Sequence, residues 1–213
     1  MSLYIGANYH PHDWDNERWK TDISLMKKAG FNTVRLGHLC WDSYEPENGV
    51  YTFEWFDQVM DLFAEEKIGV VLDVSMRPAP VWVHRLCSGC NIYGQDNSQQ
   101  PSIRRYMEDV ADPAYQHYAL RFAKVLVERY QNHPSLFAFG LCNEIGDGFR
   151  SCGEQSRQRF IEWLRKKYGT VENLNRAWAT RRWSRKLNDF SDVVFPENDL
   201  AVGAPEKGMS FCA

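Results

Sequence analysis

The 213-residue sequence has no surplus of positive charge: 25 Lys and Arg stand against 28 Asp and Glu, a formal net charge of -3. A nucleic-acid or anionic-membrane partner has no electrostatic support, and neither is expected. No apolar run approaches the length that spans a bilayer, and the opening residues MSLYIGANYHPHDW lack a basic stretch followed by an apolar one. No membrane segment or secretory leader is expected, and the expected setting is the cytoplasm. The six cysteines lie at irregular spacing, in a chain too long to need staples, which suits reduced thiols. Cys87 and Cys90 form a CxxC pair, half the signature of a zinc site, yet no second CxxC or His pair completes it. No metal and no cofactor are expected.

Aromatic side chains are abundant, at 14% of the residues and including eight Trp. Such rings serve as stacking faces for sugars, and large cores use them too. Small neutral or weakly charged ligands remain the open class.

The stretch SLFAFGLCNEI at 135–145 carries the strongest local signal. Its apolar run at 136–142 has the length and composition of a strand buried on both faces, and it stops abruptly at Asn143 and Glu144 before Gly146, Asp147 and Gly148. An acid with an amide beside it, at the C-terminal end of a barrel strand, reads as catalytic. The alternative is an Asn-Glu pair that caps the next helix.

Around that stretch, strands are expected at 3–8, 31–36 and 68–74, and helices at 15–29, 54–66, 113–130 and 154–168, with a short one at 171–177. Trp19, Ile23 and Met26 mark one face of the first helix, and Leu120, Val125 and Leu126 are apolar positions of the third. The connection from 76 to 112 is far longer than usual, and because it leaves a strand's C-terminal end it is expected to be functional. The order β, α, β, α, β, α, β, α argues an α/β chain with a parallel sheet and helical crossovers.

Several stretches, GANYHPHDW, the segment KKAGFNTVRLGHLCWDSYEPENGVYTFEWFDQVMDLFAEEKIGVVLDV, the Asn143-Glu144 pair and YGTVENLNRAWATRRWS, together resemble glycoside hydrolase family 42. These are the β-galactosidases of the retaining-hydrolase clan built on the TIM barrel. The WxxxEPxxGxYxF pattern is shared across much of the clan, whereas YGTxExLNxAWxTxxWS is more specific to the family. The resemblance implies a (β/α)8 TIM-barrel fold, here only its first four β/α units over residues 1–196, with 197–213 an irregular tail outside the family pattern. It also implies a retaining hydrolase of terminal β-D-galactosides, with a β-galactoside oligosaccharide or glycoside as substrate.

By the same resemblance Glu144 is the general acid/base and Asn143 bonds the sugar hydroxyl next to the anomeric carbon. Arg104 or Arg105 is the substrate-binding arginine and Trp183 the aromatic sugar contact. The chemistry has its own reasons: a departing oxygen needs a proton, and a bond to the 2-hydroxyl strengthens as the ring becomes oxocarbenium-like. Retention also needs a second carboxylate about 5 Å away. In the family it lies on the seventh strand; only 30 residues follow Trp183, so no nucleophile is assigned, and the chain alone is expected to be inactive.

This chain departs from the family at His10, Pro11 and His12, where members often have YYPE, and at His38, where members have a Glu. A family zinc cluster is reduced to Cys152, with Tyr106 or Asp109 in the third loop, so no zinc is expected there. Bland readings stand beside these: solvated charges for Arg104 and Arg105, packing for Trp183 and Trp41, surface histidines for His10, His12 and His38, and turn charges for Glu45 and Glu47. The alternatives to a hydrolase half are a non-catalytic or truncated barrel module that needs a partner chain or forms a homo-oligomer, and a clan relative with another sugar specificity.

Overall fold

The computed structural model describes residues 3–94, 98–101, 105–141, 143–144 and 151–194. It divides into two compact units, Met1–Asn91 with Pro101–Phe149, and Ile92–Gln100 with Arg150–Ala213. The first unit runs α1 (Asn16–Lys28), β1 (Thr33–Leu36), α2 (Trp41–Tyr44), α3 (Glu54–Glu65), β2 (Gly69–Asp73), α4 (Val81–Leu86), α5 (Pro113–Tyr130) and β3 (Leu136–Gly140). The strands form one parallel sheet in the order β1-β2-β3, because each is separated from the next by a helical crossover.

The expected strand at 3–8 is not a strand of this sheet. It lies beside β1 with a single parallel bridge, Asn8 to Arg35, and with the Tyr9 and Arg35 amides bonded to Arg35 and Ala7 carbonyls at 3.0 Å each. Leu3, Tyr4 and Ile5 stay exposed, so no burial reinforces the backbone pairing. Four expected strands therefore become three and a bridge.

One face of the sheet is covered. Val34, Leu36, Val70 and Leu72 are buried in a core with Trp19 and Ile23 of α1, Phe56, Met60 and Phe63 of α3, and Phe122, Leu126 and Tyr130 of α5. The other face is half open. The expectation that 136–142 is buried on both faces is wrong: Phe137 is 52% and Leu141 75% exposed. The strand is also shorter, and it forms the edge of the described sheet, with β2 its neighbour.

Helix α5 begins where expected because Pro113 sits in its first turn and the Asp112 side chain accepts from the Tyr115 amide at 2.8 Å. Tyr115, Ala119, Phe122, Leu126 and Tyr130 form its buried stripe. Leu120, another apolar position of the helix, is exposed; one residue's rotation of about 100° carries it off the stripe. The long connection after β2 contains α4 and an antiparallel bridge between Asn91 and Glu108.

The WxxxEPxxGxYxF segment has a structural reason. Trp41 Nε1 and the Gly49 amide donate to the two Glu45 oxygens at 2.9 and 2.8 Å, and the Arg121 guanidinium pairs with the same buried carboxylate. Tyr51 stacks on Phe53 at 5.5 Å, and Gly49 takes φ +79°, a backbone open to glycine. Glu45 is thus a buried hub of the fold, and Trp41 stacks on Phe122 at 4.8 Å in the core.

In the second unit α6 (Glu154–Tyr168) and α7 (Val171–Trp178) bury Ile161, Leu164, Leu174 and Trp178 with Phe190 and Val193. Thr170 caps α7 by accepting from the Asn173 amide, and Asn175 exchanges two bonds with the Leu187 backbone at 2.8 and 2.9 Å. The YGTxExLNxAW segment is therefore a cap, a core and a loop clamp. The tail at 197–213 lies outside the described residues.

Candidate functional site at the strand exits

Parallel strands end on one edge, so whatever follows β1, β2 and β3 gathers there. β1 leads through Gly37, at φ +77°, into the buried His38. β2 ends in Asp73, which has no exposed surface. β3 leads to Asn143 and Glu144.

A buried carboxylate needs donors. Asp73 receives the Arg35 guanidinium and, at 2.9 Å, the Nδ1–H of His38. Burial, with the Arg35 charge, holds His38 below the usual histidine value against the pull of Asp73, so near neutral pH the ring is uncharged. Arg35 Nη1 also donates to Asn143 Oδ1 at 3.2 Å. Since guanidinium only donates, this contact fixes the amide's orientation. Asn143 Nδ2 then donates to the Tyr106 hydroxyl at 3.0 Å, and Arg105 Nη2 reaches both that hydroxyl and Glu144 Oε2 at 2.8 Å. One polar chain joins His38 to Glu144.

Glu144 and Arg105 are about half exposed, at 52% and 48% of their side chains. A pair that open is worth about 0–1 kcal/mol and can be parted by a ligand. Asn143 is clamped more firmly, from both ends of its amide. Glu144 (φ +48°), Tyr106 (φ +61°) and Leu39 (φ +57°) all take the left-handed backbone, which costs non-glycine residues about 1–3 kcal/mol and concentrates at functional sites. The arrangement offers a solvent-accessible carboxyl that can give or take a proton, an oriented amide and a guanidinium that can donate to oxygen atoms of a ligand.

Of the residues named from sequence, the structure brings Asn143, Glu144 and Arg105 together. Arg104 lies outside the described residues. Trp183 is in the 3-10 turn Arg182–Ser184 of the second unit, and its side chain lies outside the described set. Arg35, Asp73 and Tyr106 were missed. Asp73 carried the same signal as Glu144, an acid ending an apolar strand, and Arg35 stood as a charge inside one.

Cys87 and Cys90 are buried free thiols, and the Cys90 thiol is pushed up to about 12, chiefly by burial. Among the described residues they join no group of three ligand atoms close enough for a metal.

The model of the glycoside hydrolase family 42, described as β-galactosidase, matches residues 8–212. The chain is 32% identical over 214 aligned residues to β-galactosidase LacZ of Heyndrickxia coagulans, covering 99% of this chain and 32% of that one. Its fold superposes on a β-galactosidase from the psychrophilic Marinomonas ef1 with a TM-score of 0.86 at 28% identity, covering 91% of this chain and 30% of the other. For the β-galactosidase of the Antarctic haloarchaeon Halorubrum lacusprofundi the TM-score is 0.88 at 26% identity, covering 93% and 30%. The chain spans about a third of the length of the curated relatives it matches.

Proposed function

The chain belongs to the glycoside hydrolase family 42 β-galactosidases, and from that membership we propose that it carries the acid/base part of a retaining site for terminal β-D-galactosides. Glu144 protonates the departing glycosidic oxygen, then takes a proton from the attacking water. Asn143, held by Arg35 and Tyr106, bonds the hydroxyl beside the anomeric carbon, and Arg105 exchanges its pairing with Glu144 for the sugar. Arg104 and Trp183 are kept as substrate contacts on the strength of the family pattern alone. The observation that carries the reading is the continuous bonding from Asp73 through Arg35 and Asn143 to Arg105 and Glu144 at the strand exits.

The sheet is read as the opening part of a (β/α)8 barrel, with the bridged segment at 3–8 as its first, incomplete strand and residues 1–196 as its extent. Its half-open face, bearing Thr33, Arg35 and Phe137, supports this, since a barrel strand turns one face to the helices and the other to the interior. The nucleophile is assigned to no residue of this chain. A cytoplasmic setting belongs to the same proposal, supported by the free thiols.

The test is turnover of a chromogenic aryl β-galactoside. The chain alone is expected to show none. Co-expressed with the complementary segment of a family 42 relative, it is expected to gain activity that Glu144→Gln lowers by roughly 10²–10⁴-fold on a poor leaving group. Glu144-dependent turnover by the chain alone would overturn the missing nucleophile, and complemented activity that survives Glu144→Gln would overturn the acid assignment.

A second reading, a module that works only with a partner chain or as a homo-oligomer, is favoured by the exposed Leu3, Tyr4, Phe137 and Leu141. Sedimentation separates the two: a tight dimer supports the second, a monomer the first.

A further inference from the structure

We propose that His10, His12 and Asp13 bind a divalent transition cation, zinc being the best match, on the edge of the molecule where the strands exit. One ligand atom from each of these residues lies within 4.8 Å of the other two, the single such group among the described residues. His12 Nε2 stands 3.6 Å from Asp13 Oδ1. Two ligands bound at about 2.0–2.2 Å in tetrahedral geometry sit about 3.4 Å apart, so the His12–Asp13 pair is already near that spacing and His10 closes the set by a side-chain rotation.

The turn that carries the three is held before any ion arrives. Pro11 occupies its first helical position and is buried, and the Asp13 amide bonds the His10 carbonyl at 3.2 Å. The Trp19 indole donates to the Pro11 carbonyl at 2.9 Å, pinning the turn to α1. A ligand set on such a turn loses little entropy on binding.

His12 faces Asp13 through Nε2, so that nitrogen is the ligand, while its Nδ1 is buried and has no hydrogen-bond partner among the described residues.

The His38 ring lies 5.7 Å from that of His10, and its Nδ1–H is bonded to Asp73. A carboxylate behind an imidazole is the usual support of a metal-binding histidine. His38 is thus a further imidazole beside His10, and water completes the shell. Two imidazoles and one carboxylate favour zinc, nickel or copper over magnesium and calcium, which prefer all-oxygen shells. Because this site rests on the turn alone, it does not depend on the galactosidase reading.

The experiment is calorimetric titration of the chelator-stripped full chain with zinc chloride, with magnesium chloride as control, followed by zinc-edge X-ray absorption. One zinc per chain, a nitrogen and oxygen shell without sulfur, and no response to magnesium are expected. His10→Ala, at a partly exposed ring, and Asp13→Asn, at an exposed carboxylate, are each expected to weaken binding by roughly tenfold or more, at least the scale of losing an outer-shell partner. Neither change removes core packing, so folded variants are available, and circular dichroism checks them. A Cys87→Ser, Cys90→Ser double variant is expected to bind as the parent does. No binding at millimolar zinc, a sulfur-containing shell, or affinity untouched by His10→Ala and Asp13→Asn would overturn the proposal.

Discussion

Asp73 shows how a single side chain arranges the site. It is fully buried, and its carboxylate holds both the Arg35 guanidinium and the His38 ring. Asp73→Ala would remove the buried carboxylate shared by the Arg35 guanidinium and the His38 ring and is expected to destabilise the chain by about 3–5 kcal/mol, read from the midpoint of urea unfolding. Gly140 is tied to the same carboxylate, because a Cβ there would sit 2.0 Å from Asp73 Oδ1. Gly140→Ala is expected to cost about 1–3 kcal/mol and to loosen Asn143, seen as altered amide resonances at 143 and 144. An unchanged spectrum with unchanged stability would contradict the close approach. Glu144 and Asn143 were legible because a strand's apolar run stopped at them. Arg35 was not, since one charge in a strand reads equally as solvent-facing until the sheet shows what it faces.

At the level of elements, periodicity decided more than identity. The helix at 113–130 was read correctly because a proline, a capping acid and a regular apolar stripe agree. Its Leu120 shows that apolar type alone does not place a residue on the stripe. Leu120→Lys is therefore expected to change stability by less than about 0.5 kcal/mol, whereas Phe122→Ala should cost about 3–5 kcal/mol. Asp112→Ala should cost about 1 kcal/mol through loss of the cap. Thermal unfolding of the three variants checks the ranking, and a Leu120→Lys loss equal to that of Phe122→Ala would refute the assigned face. The strand at 136–140 is the opposite case: its composition suggested burial on both sides, but one face of the sheet is half open, which composition does not encode, and Phe137 is exposed there.

For the whole first unit, a buried ionic set below the long connection predicts the response to pH. Arg77 Nε donates to Glu108 Oε2 at 3.2 Å, and His84 Nε2 lies 3.4 Å from Glu108 Oε1. Burial pushes the Glu108 carboxyl up, but bonds from His84 and the Ala79 amide, with the Arg77 charge, outweigh it and hold the group below 4.5. Burial pushes His84 down, but bonds to Glu108 and Asn91 outweigh it and hold the ring above 6.5. The Glu108 contribution is present above pH 4.5 and lost as pH falls through its depressed folded value. That of His84 is present below pH 6.5 and lost as pH rises through its raised folded value. The melting temperature should therefore be highest between these limits and fall on both sides, and Glu108→Gln should flatten both limbs. A profile with no such maximum in the parent would contradict the network.

The sequence alone determined the alternation of strands and helices, the family, and the Asn-Glu pair at a strand's end, because these rest on local periodicity, capping and contiguous motifs. Only the tertiary structure decided that the WxxxEP motif builds a buried carboxylate hub, that Arg35, Asp73 and Tyr106 hold Asn143, and that His10 and His12 meet beside His38. Those facts join residues up to 108 positions apart, as with Arg35 and Asn143. Such contacts are set by strand order and register, which no stretch of chain specifies by itself.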